Sequence, residues 1–568
     1  MSVSKNTMDG GEAILQALRN LDVDYVMSSP GSEWSAVWEA FARQKIDGRD
    51  GPAYMGCWHE TLAVNLAVGY TVVTGRMQAV LLHSGVGLMQ GSMGIFGAQF
   101  LGIPVVVMSG ESLTYGDQPG FEPGAQWTFN LSMVGGPQRV VEPYTKWANQ
   151  ATSPATLYQQ IIRAGEIAQQ RPSGPTYVNV PVETMLAEWT PPSDMIKVPR
   201  PPITVPPLSQ IEALVGMLMA ADNPLITTEA AGRDAEGYHA LISLAESLSI
   251  PVIESSIATY ANFPKDHPLH QGFDIRPMLD EADLVVCIRS RMPWYPPGRT
   301  PANAKVVLID EHPFKEHMVY QNLHGSLCLE GHVPSTLALL TDAINAAGVD
   351  AAKIAERRAA FAKSHDELEA HTKAYEVSAS ADGAINAAMI GAALGEAMPS
   401  ETVYVDETTT HRGANLRHIP YRGPQSYFRV ATGLGQGLGY ALGIKLACPE
   451  RPVVSVIGDG AFLYNPIPQS LGASRDLDLP VMIVIYNNGN YRAMRNNHTS
   501  YYPGGVAEEN DLFYGAPING PKYGELAAPF DAVGIRIENA NELKDGFAQA
   551  RAAIEAGRTA IVDVVMEP

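Results

Sequence analysis

The sequence predicts an α/β protein with three doubly wound parallel-sheet domains. With 568 residues, the chain exceeds what one hydrophobic core usually serves. Short apolar runs rich in β-branched residues alternate with longer amphipathic stretches, which is the pattern of repeated βα units. A proline-dense segment at residues 190–207 interrupts this alternation and is typical of an extended linker.

The first domain is expected over residues 1–190. Its amphipathic helical stretches are 12–21 and 155–169, and its apolar strand runs are 79–82, 104–108 and 176–180. The second domain is expected over residues 208–342. Its apolar strand runs are 224–227, 284–288 and 306–310. A charged helical stretch at 351–375 and a small-residue segment at 378–384 then precede a third domain over residues 384–568.

Composition excludes several classes of protein. The formal net charge is -21, the pI is near 5.1 and no Lys/Arg-rich run is present, which argues against a nucleic-acid partner. The four cysteines are scattered without a CxxC pair, so we expect a reducing compartment and no structural zinc. Residues 1–11 are polar and lack an apolar signal core, and no run of eighteen or more apolar residues is present for a membrane span. We therefore expect a cytoplasmic protein without a membrane partner.

Two buried strand runs in the third domain end in polar residues. The first ends in Asp459, flanked by Gly458 and Gly460, and the second ends in Asn488. Because the carboxyl ends of parallel strands meet at one edge of a sheet, these side chains are expected at a ligand-binding edge. A carboxylate and an amide offer hard oxygen ligands to a small divalent cation, and the glycines let the backbone approach phosphate oxygens.

This arrangement resembles the diphosphate-anchoring motif of thiamine diphosphate enzymes, a GDG triplet followed by an NN pair at this spacing. The layout also resembles the pyrimidine-binding, middle and diphosphate-binding domains of the pyruvate decarboxylase and acetolactate synthase superfamily. The resemblance implies thiamine diphosphate as cofactor, with Mg²⁺ held by Asp459, Asn488 and the backbone carbonyl of Asn490. It also implies a homo-oligomer, a dimer of dimers, in which the cofactor lies between the first domain of one subunit and the third domain of another.

Further cofactor contacts are implied by the same resemblance. They are Thr408, Thr409, Gly433, Leu434, Gly458, Gly460, Ala461 and Tyr491. Among them, Leu434 matches the bulky residue that wedges beneath the cofactor and holds its bent shape. A leucine at the start of a helix also suits ordinary packing, so both interpretations stay open.

In the first domain the resemblance is strongest to benzoylformate decarboxylase. Glu60 opens an apolar helical stretch and matches the acid that protonates the cofactor pyrimidine, although the helix dipole alone would favour a glutamate there. His83 ends a strand before a glycine turn and matches the histidine that faces the reacting carbonyl; a hydrogen-bonded core histidine is the alternative. Ser32 matches the serine that meets the substrate carboxylate, or it caps a helix over residues 33–41.

Two segments depart from the decarboxylase pattern. Pro293 stands where that family has a second active-site histidine, so the second proton donor is missing or is one of the candidates His411 and His498. Residues 496–502 are polar where the family's aryl pocket is apolar. They indicate either a substrate with oxygen functions or a solvated surface loop.

The leading hypothesis is a thiamine diphosphate- and Mg²⁺-dependent lyase that decarboxylates a small-molecule 2-oxo acid to an aldehyde, with carboligation as a side activity. The alternative is a carboligase or carbon–carbon lyase related to acetolactate synthase, which the Gly- and Pro-rich segment 501–522 favours. A third hypothesis is a nucleotide-binding or regulatory protein that uses the second domain. The nearest small-residue turn, at 230–233, lacks a GxGxxG pattern. The sequence leaves the identity of the 2-oxo acid open.

Overall fold

Three parallel sheets of six, five and six strands form the framework of the protein, in a computed structural model. The structure describes residues 8–111, 133, 135–294, 300–316, 318–319, 321, 323–381, 384–430 and 432–567. Every strand pair within these sheets is parallel, and helices connect most of the successive strands. The predicted class of three doubly wound α/β domains is confirmed.

The first sheet has the strand order β2-β1-β3-β4-β6-β5. Its strands are β1 Tyr25–Ser29, β2 Ala53–Gly56, β3 Gln78–Leu82, β4 Val105–Glu111, β5 Trp147–Gln150 and β6 Thr176–Pro181. The accompanying helices are α1 Gly10–Asn20, α2 Ser35–Ile46, α3 Glu60–Thr74, α4 Gly85–Leu101, α5 Gln138–Val141, α6 Leu157–Gln169 and α7 Val182–Leu186. Strands β3, β4 and β6 are buried along their whole length, which explains why their sequences are continuous apolar runs.

The second sheet has the order β11-β10-β9-β7-β8. Its strands are β7 Pro224–Thr228, β8 Val252–Glu254, β9 Leu284–Ile288, β10 Lys305–Asp310 and β11 Leu327–Glu330. Its helices are α8 Leu208–Ala220, α9 Ala235–Leu248, α10 Arg276–Leu279, α11 Val333–Ala347 and α12 Ala351–Ala381. Residues 190–207, all of which the structure describes, form neither helix nor strand.

The third sheet has the order β13-β12-β14-β15-β17-β16. Its strands are β12 Val403–Glu407, β13 Tyr427–Arg429, β14 Val453–Gly458, β15 Met482–Asn487, β16 Val533–Ile537 and β17 Ala560–Val565. The helices of this part are α13 Ala387–Ala397, α14 Arg412–His418, α15 Gly437–Ala447, α16 Asp459–Tyr464, α17 Ile467–Asp476, α18 Arg492–Tyr501, α19 Val506–Glu509 and α20 Leu543–Glu555. Strands β14 and β15 are adjacent, so the polar residues that follow them reach the same edge, as predicted.

The described residues fall into two compact units. The first lies within residues 1–202, 431–449 and 463–479, and the second lies within 203–430, 450–462 and 480–568. The second and third sheets therefore belong to the second unit. Helix α15 belongs to the first unit, together with the first sheet.

Glycines allow α15 to pack directly on α3. A Cβ atom on Gly69 of α3 would come within 2.2 Å of the carbonyl oxygen of Tyr440. A Cβ atom on Gly443 of α15 would come within 2.1 Å of the carbonyl oxygen of Leu66. The two backbones are in contact at these points, and any larger residue would force the helices apart. In the described part of the chain, no helix is both long and apolar enough to span a membrane.

Candidate active site

His83 lies at the carboxyl edge of the first sheet, directly after β3, where a buried acid holds its ring. Its Nδ1 atom is 2.8 Å from Oε1 and 3.0 Å from Oε2 of Glu33. The backbone N–H of Ser84 donates to the same Oε1 at 2.8 Å. The Glu33 side chain is completely buried, whereas that of His83 is 23 % exposed. The hydrogen bond that Glu33 accepts raises the pKa of His83, and burial opposes this shift.

The ring of His83 is thus oriented through one nitrogen. The carboxylate can only accept, so Nδ1 carries the proton in this contact. Within the residues that the structure describes, Nε2 has no hydrogen-bond partner. The interpretation of His83 as a hydrogen-bonded core residue explains the Nδ1 contact but not the exposed nitrogen.

Glycines leave the space that this histidine–carboxylate pair occupies. A Cβ atom on Gly31 would lie 1.7 Å from His83 Nδ1, and one on Gly110 would lie 2.0 Å from Glu33 Cγ. Sequence reasoning missed Glu33. The signal that was available is an acid between Ser32 and the buried Trp34, a place where an unpaired carboxylate would be unfavourable.

Glu60 lies beside His83. It is the first residue of α3, and the N-cap side chain of His59 accepts the Thr61 N–H at 3.1 Å. A Cβ atom on Gly87 of α4 would come within 3.0 Å of Glu60 Oε1 and 2.8 Å of His83 Cβ. The structure therefore brings Glu60 and His83 close to the same face of one glycine. The first position of a helix also suits a glutamate because of the helix dipole. The position of Glu60 is therefore compatible both with the acid that protonates the cofactor and with a residue favoured by the dipole alone.

Ser32 is exposed near the same edge, in a 3₁₀ turn over Ser32–Trp34. The α-helix α2 begins only at Ser35, whose hydroxyl donates to the Ser32 carbonyl at 2.7 Å. The N-cap of the 3₁₀ turn is Gly31, and no side chain caps it. The alternative role of Ser32 as the cap of a helix over residues 33–41 is therefore not seen.

A second group of predicted residues lies at the carboxyl edge of the third sheet. Asp459 is buried, and its two oxygens accept the N–H groups of Gly460 and Gly489, each at 2.8 Å. In the described part of the chain no basic side chain pairs with it, and burial raises the pKa of its carboxyl group. The side-chain oxygen of Asn488 accepts the Asn490 N–H at 3.0 Å, and Asn490 Oδ1 is buried without a partner.

These residues fit a bound divalent cation. A buried carboxylate without a counter-charge is unfavourable, and a cation would remove that penalty. The available ligands are oxygens from a carboxylate, an amide and a backbone carbonyl, which Mg²⁺ prefers. Asp459, Asn488 and the carbonyl of Asn490 would hold the ion. Among the described residues no cluster of three or more His, Cys, Asp or Glu side chains forms a metal site of another kind.

The glycines around Asp459 differ in their surroundings. A Cβ atom on Gly460 would lie 2.5 Å from a ring carbon of Tyr491, so this ring requires glycine at that position. A Cβ atom on Gly458 would meet nothing within 4 Å, so its face is open to a ligand. Ala461 is buried in the first turn of α16.

Thr408 and Thr409 follow β12 and differ in availability. Thr408 is buried, and both its N–H and its hydroxyl donate to Asp406 Oδ1 at 2.7 Å. Asp406 Oδ2 accepts from Asn415 at 3.0 Å and from the Tyr427 hydroxyl at 2.8 Å. Thr409 is exposed, so of the two threonines it has the hydroxyl free to reach a diphosphate.

Gly433 and Leu434 lie in a turn before α15, within the first unit. A Cβ atom on Gly433 would lie 2.6 Å from the sulfur of Met93 on α4. Leu434 is only partly buried, unlike a residue that serves packing alone. The next residue, Gly435, has a φ of 91°, a conformation that favours glycine.

The two candidates for a second proton donor lie in different surroundings. Burial and the charge of Arg492 lower the pKa of His411 to about 4, so its imidazole is neutral at pH 7 and can donate an N–H hydrogen bond. His498 lies on the exposed helix α18, where its ring packs on Tyr502 and Phe513. The polar segment 496–502 thus forms mostly an exposed helix. Pro293 is described, but residues 295–299 beside it lie outside the described residues.

Ion pairs occupy the carboxyl edge of the second sheet. Arg289 is buried and donates through Nε to Glu311 at 2.9 Å, with Asp234 also 2.9 Å away. Arg291 donates through Nε to the buried Glu229 at 2.6 Å. Burial acts to lower the pKa of Arg289, but Asp234 and Glu311 raise it further than burial lowers it, so the guanidinium stays charged. The arginines at this edge are neutralised by the domain's own carboxylates.

Comparison with known families accounts for most of the chain. Residues 8–131 match the family model "Thiamine pyrophosphate enzyme, N-terminal TPP binding domain". Residues 211–340 match the central domain of the same enzymes, and residues 407–564 match their C-terminal TPP binding domain.

Relatives of several activities align over nearly the whole chain. An acetolactate synthase large subunit from Corynebacterium glutamicum is 24% identical and covers 100% of this chain and 88% of its own. A probable 2-ketoarginine decarboxylase from Pseudomonas aeruginosa is 26% identical over 91% of this chain and 90% of its own. A benzoylformate decarboxylase from the same organism is 24% identical over 95% of this chain and 96% of its own.

A solved structure shows the same fold. The thiamine diphosphate-dependent 4-hydroxybenzoylformate decarboxylase of Rhodococcus jostii superposes with a TM-score of 0.79 at 22% identity, covering 98% of this chain and 99% of its own. At this identity the likeness is one of fold, whereas the family matches extend to the cofactor-binding domains. The chain belongs to the thiamine diphosphate-dependent enzymes of the superfamily that includes decarboxylases and acetolactate synthases.

Proposed function

We propose that this enzyme decarboxylates a 2-oxo acid to an aldehyde without oxidation, with Mg²⁺ and thiamine diphosphate as cofactors. The observation that supports this most is the pair formed by His83 and Glu33, next to Glu60. Decarboxylation ends with delivery of a proton, and His83 is an oriented imidazole with an exposed nitrogen. The names of two relatives, a benzoylformate decarboxylase and a probable 2-ketoarginine decarboxylase, support the same reaction class.

The residues at the third sheet would bind the phosphate end of the cofactor. Asp459, Asn488 and the Asn490 carbonyl would hold Mg²⁺, whose remaining sites would take phosphate oxygens. The exposed hydroxyl of Thr409 would donate to the same phosphates. The open face of Gly458 would let the backbone approach them closely. When bound, thiamine diphosphate supplies the electron sink for loss of carbon dioxide.

The residues at the first sheet would manage protons and orientation. Glu60 would share its carboxyl proton with the pyrimidine ring nitrogen of the cofactor. The Ser32 hydroxyl, which is exposed, would donate to the substrate carboxylate and fix its direction. Nε2 of His83 would donate a proton to the substrate carbonyl oxygen, take a proton from water, and later donate that one to the carbon that lost carbon dioxide. The proton on the oxygen would be lost again when the aldehyde is released. Glu33 would keep the ring oriented and favour its protonated form.

A screen of 2-oxo acids tests this proposal. Aryl and polar aliphatic 2-oxo acids are offered one at a time, with and without added thiamine diphosphate and Mg²⁺, and carbon dioxide release is measured. We expect release that requires both cofactors and no added acceptor. A protein that releases no carbon dioxide from any of them under these conditions would not be a 2-oxo acid decarboxylase.

A carboligase is the second candidate. The acetolactate synthases among the relatives support it, because they align over the whole of this chain at 24% identity. In such an enzyme the substrate-derived carbanion would attack a second carbonyl compound instead of taking a proton. Carbon dioxide release that begins only when an acceptor 2-oxo acid or aldehyde is added would favour the carboligase.

We further propose a homo-oligomer, a dimer of dimers. This proposal rests on the family resemblance of the cofactor-binding domains. Light scattering of the purified protein, with and without the cofactors, gives the mass of the assembly directly. A monomer under both conditions would contradict it.

A further inference from the structure

Three arginines lie beside the residues that would hold the cofactor, all within the second unit. This arginine cluster consists of Arg412, Arg429 and Arg492. Arg412 begins α14 soon after Thr409, and Arg492 begins α18, where its N–H donates to the Asn490 carbonyl at 2.8 Å. Arg429 is the last residue of β13, in the strand next to β12. The cluster therefore lies at the same sheet edge as the candidate Mg²⁺ ligands.

The arginine cluster has no ion-pair partner in the part of the chain that the structure describes, although the charge of Asp406 acts on Arg412. Among the described residues, none of the three arginines forms an ion pair, although the chain carries a net charge of -21. Asp406 of β12 lies opposite Arg429 of β13 in the third sheet. The Asp406 carboxylate already accepts four hydrogen bonds from other groups. The buried arginine Arg289 of the same unit, in contrast, is paired with its own acids.

The surroundings of the cluster contain unused donors. All three arginine side chains are partly buried, and Nε of Arg429 is buried without a partner. Nε2 of His411, next to Arg412 in the chain, is also buried without a partner. The His411 ring lies 5.4 Å from the ring of Tyr486 on β15, so it reaches across β14 toward the start of α18. Burial and the charge of Arg429 lower the pKa of Arg412, so these two charges repel each other. Like charges at partly buried positions are unfavourable unless an anion joins them.

We propose that the arginine cluster binds the second acidic group of the substrate, so that the enzyme acts on 2-oxo acids that carry a carboxylate, phosphonate or sulfonate at their far end. This inference rests on the proposed function. The planar guanidinium groups match the oxygen geometry of these anions. Direct contact of the cluster with the cofactor diphosphate involves the same chemistry, and the experiment separates the two sources.

Matched substrate pairs test the assignment in the holoenzyme. The pairs are 2-oxopentanedioate against 2-oxopentanoate, and 4-carboxybenzoylformate against benzoylformate, each differing by one carboxylate. We expect a higher kcat/KM for the diacid of at least one pair. Arg412→Gln should lower that diacid-to-monoacid ratio about tenfold or more, because a charge-assisted hydrogen bond is lost. Arg492→Gln is a second variant with the same expectation.

Arg417→Gln is the matched control, since Arg417 is an exposed arginine in the last turn of the same helix α14. It should leave the ratio unchanged. Calorimetric titrations of the diacid, of the monoacid and of thiamine diphosphate with Mg²⁺ accompany the kinetics. We expect weaker diacid binding by Arg412→Gln and unchanged affinity for the cofactor.

The outcomes separate the competing explanations. Weaker cofactor binding with an unchanged diacid-to-monoacid ratio would assign the cluster to the diphosphate and overturn the inference. Loss of the native oligomer in Arg412→Gln, measured by light scattering, would assign the cluster to an acid of another subunit and would overturn the inference as well. Diacid binding that needs Arg412 without any decarboxylation would support the anion site while contradicting the proposed function. Equal kcat/KM values for the diacid and the monoacid of each pair, in the wild type and in the variants, would contradict the inference but not the proposed function.

Discussion

Replacing Glu33 by glutamine tests whether the buried carboxylate controls His83. The glutamine side chain would keep nearly the same volume in the space left by Gly31 and Gly110, so the change removes the charge and little else. The wild-type contact joins Nδ1 of His83 to a carboxylate at 2.8 Å. In the variant an amide oxygen can still accept this hydrogen bond, but it cannot balance the charge of a protonated ring.

The size of the effect follows from the type of hydrogen bond that is lost. A hydrogen bond to a charged group contributes about 1.5–3 kcal/mol, against about 1 kcal/mol for a neutral one. The difference of roughly 0.5–2 kcal/mol corresponds to a decrease of about 2- to 30-fold in kcat, if the ring is protonated in the rate-limiting step. Little screening by solvent is expected, because the Glu33 side chain is 0 % and that of His83 23 % exposed.

The direction of the pH effect is fixed by the same contact. Glu33 raises the pKa of His83, so protonated His83 persists to higher pH in the wild type than in the variant. The alkaline limb of the kcat profile should therefore move to lower pH in Glu33→Gln. A group whose pKa is raised by folding stabilises the native state below its unfolded pKa, near 6.5 for histidine, and loses that contribution as the pH rises through its native pKa. The variant should thus lose more stability at acidic than at alkaline pH.

The assay combines kcat over a range of pH with an NMR titration of the His83 ring. Glu39→Gln is the control, because Glu39 lies on α2 nearby with a side chain that is 63% exposed. It should change neither readout. An unchanged ring titration and an unchanged kcat profile in Glu33→Gln would refute the positioning role of Glu33, whatever the change in stability.

Three further changes have defined expectations. Glu60→Gln should slow exchange of the thiazolium C2 proton of bound thiamine diphosphate by orders of magnitude, measured by quenched-flow NMR, and unchanged exchange would remove Glu60 from the mechanism. Asp459→Asn should weaken the Mg²⁺-dependent binding of thiamine diphosphate about tenfold or more in calorimetry, because the only carboxylate among the predicted ion ligands is lost. An affinity equal to that of the wild type would place the ion elsewhere. Gly69→Val should lower the free energy of unfolding by about 3 kcal/mol or more, since the new side chain would overlap the backbone of α15 at Tyr440. Gly216→Val, at a helical glycine with nothing within 4 Å of an added Cβ, is its control and should change unfolding by less than about 1 kcal/mol.

The fold could be predicted because its signals are local. The central strands β14 and β15 are mostly apolar, and they are adjacent in the sheet, so the polar residues Asp459 and Asn488 that follow them lie at one edge. The predicted helix at 351–375 is part of α12, which extends to Ala381. Apolar runs, turn glycines and a proline-rich segment are all visible within a few residues of sequence.

The contacts of the site were harder to predict because they join distant residues. Glu33 and His83 are 50 residues apart, and no periodicity indicates which acid will lie under a strand end. The difference between Thr408 and Thr409 depends on Asp406, whose bonds to Asn415 and Tyr427 come from two further elements. The lack of an ion-pair partner for the arginine cluster, among the residues that the structure describes, is likewise a property of the folded arrangement and not of any segment of sequence.

The packing of α15 on α3 has a consequence for the order of biosynthesis. Gly69 meets a residue that the ribosome adds roughly 370 positions later, so one face of α3 stays uncovered while most of the polypeptide is made. A recombinant fragment that stops after the first sheet would leave this face open to water and to other chains. The first unit can therefore complete its native packing only late in translation, after residues 431–479 have been made.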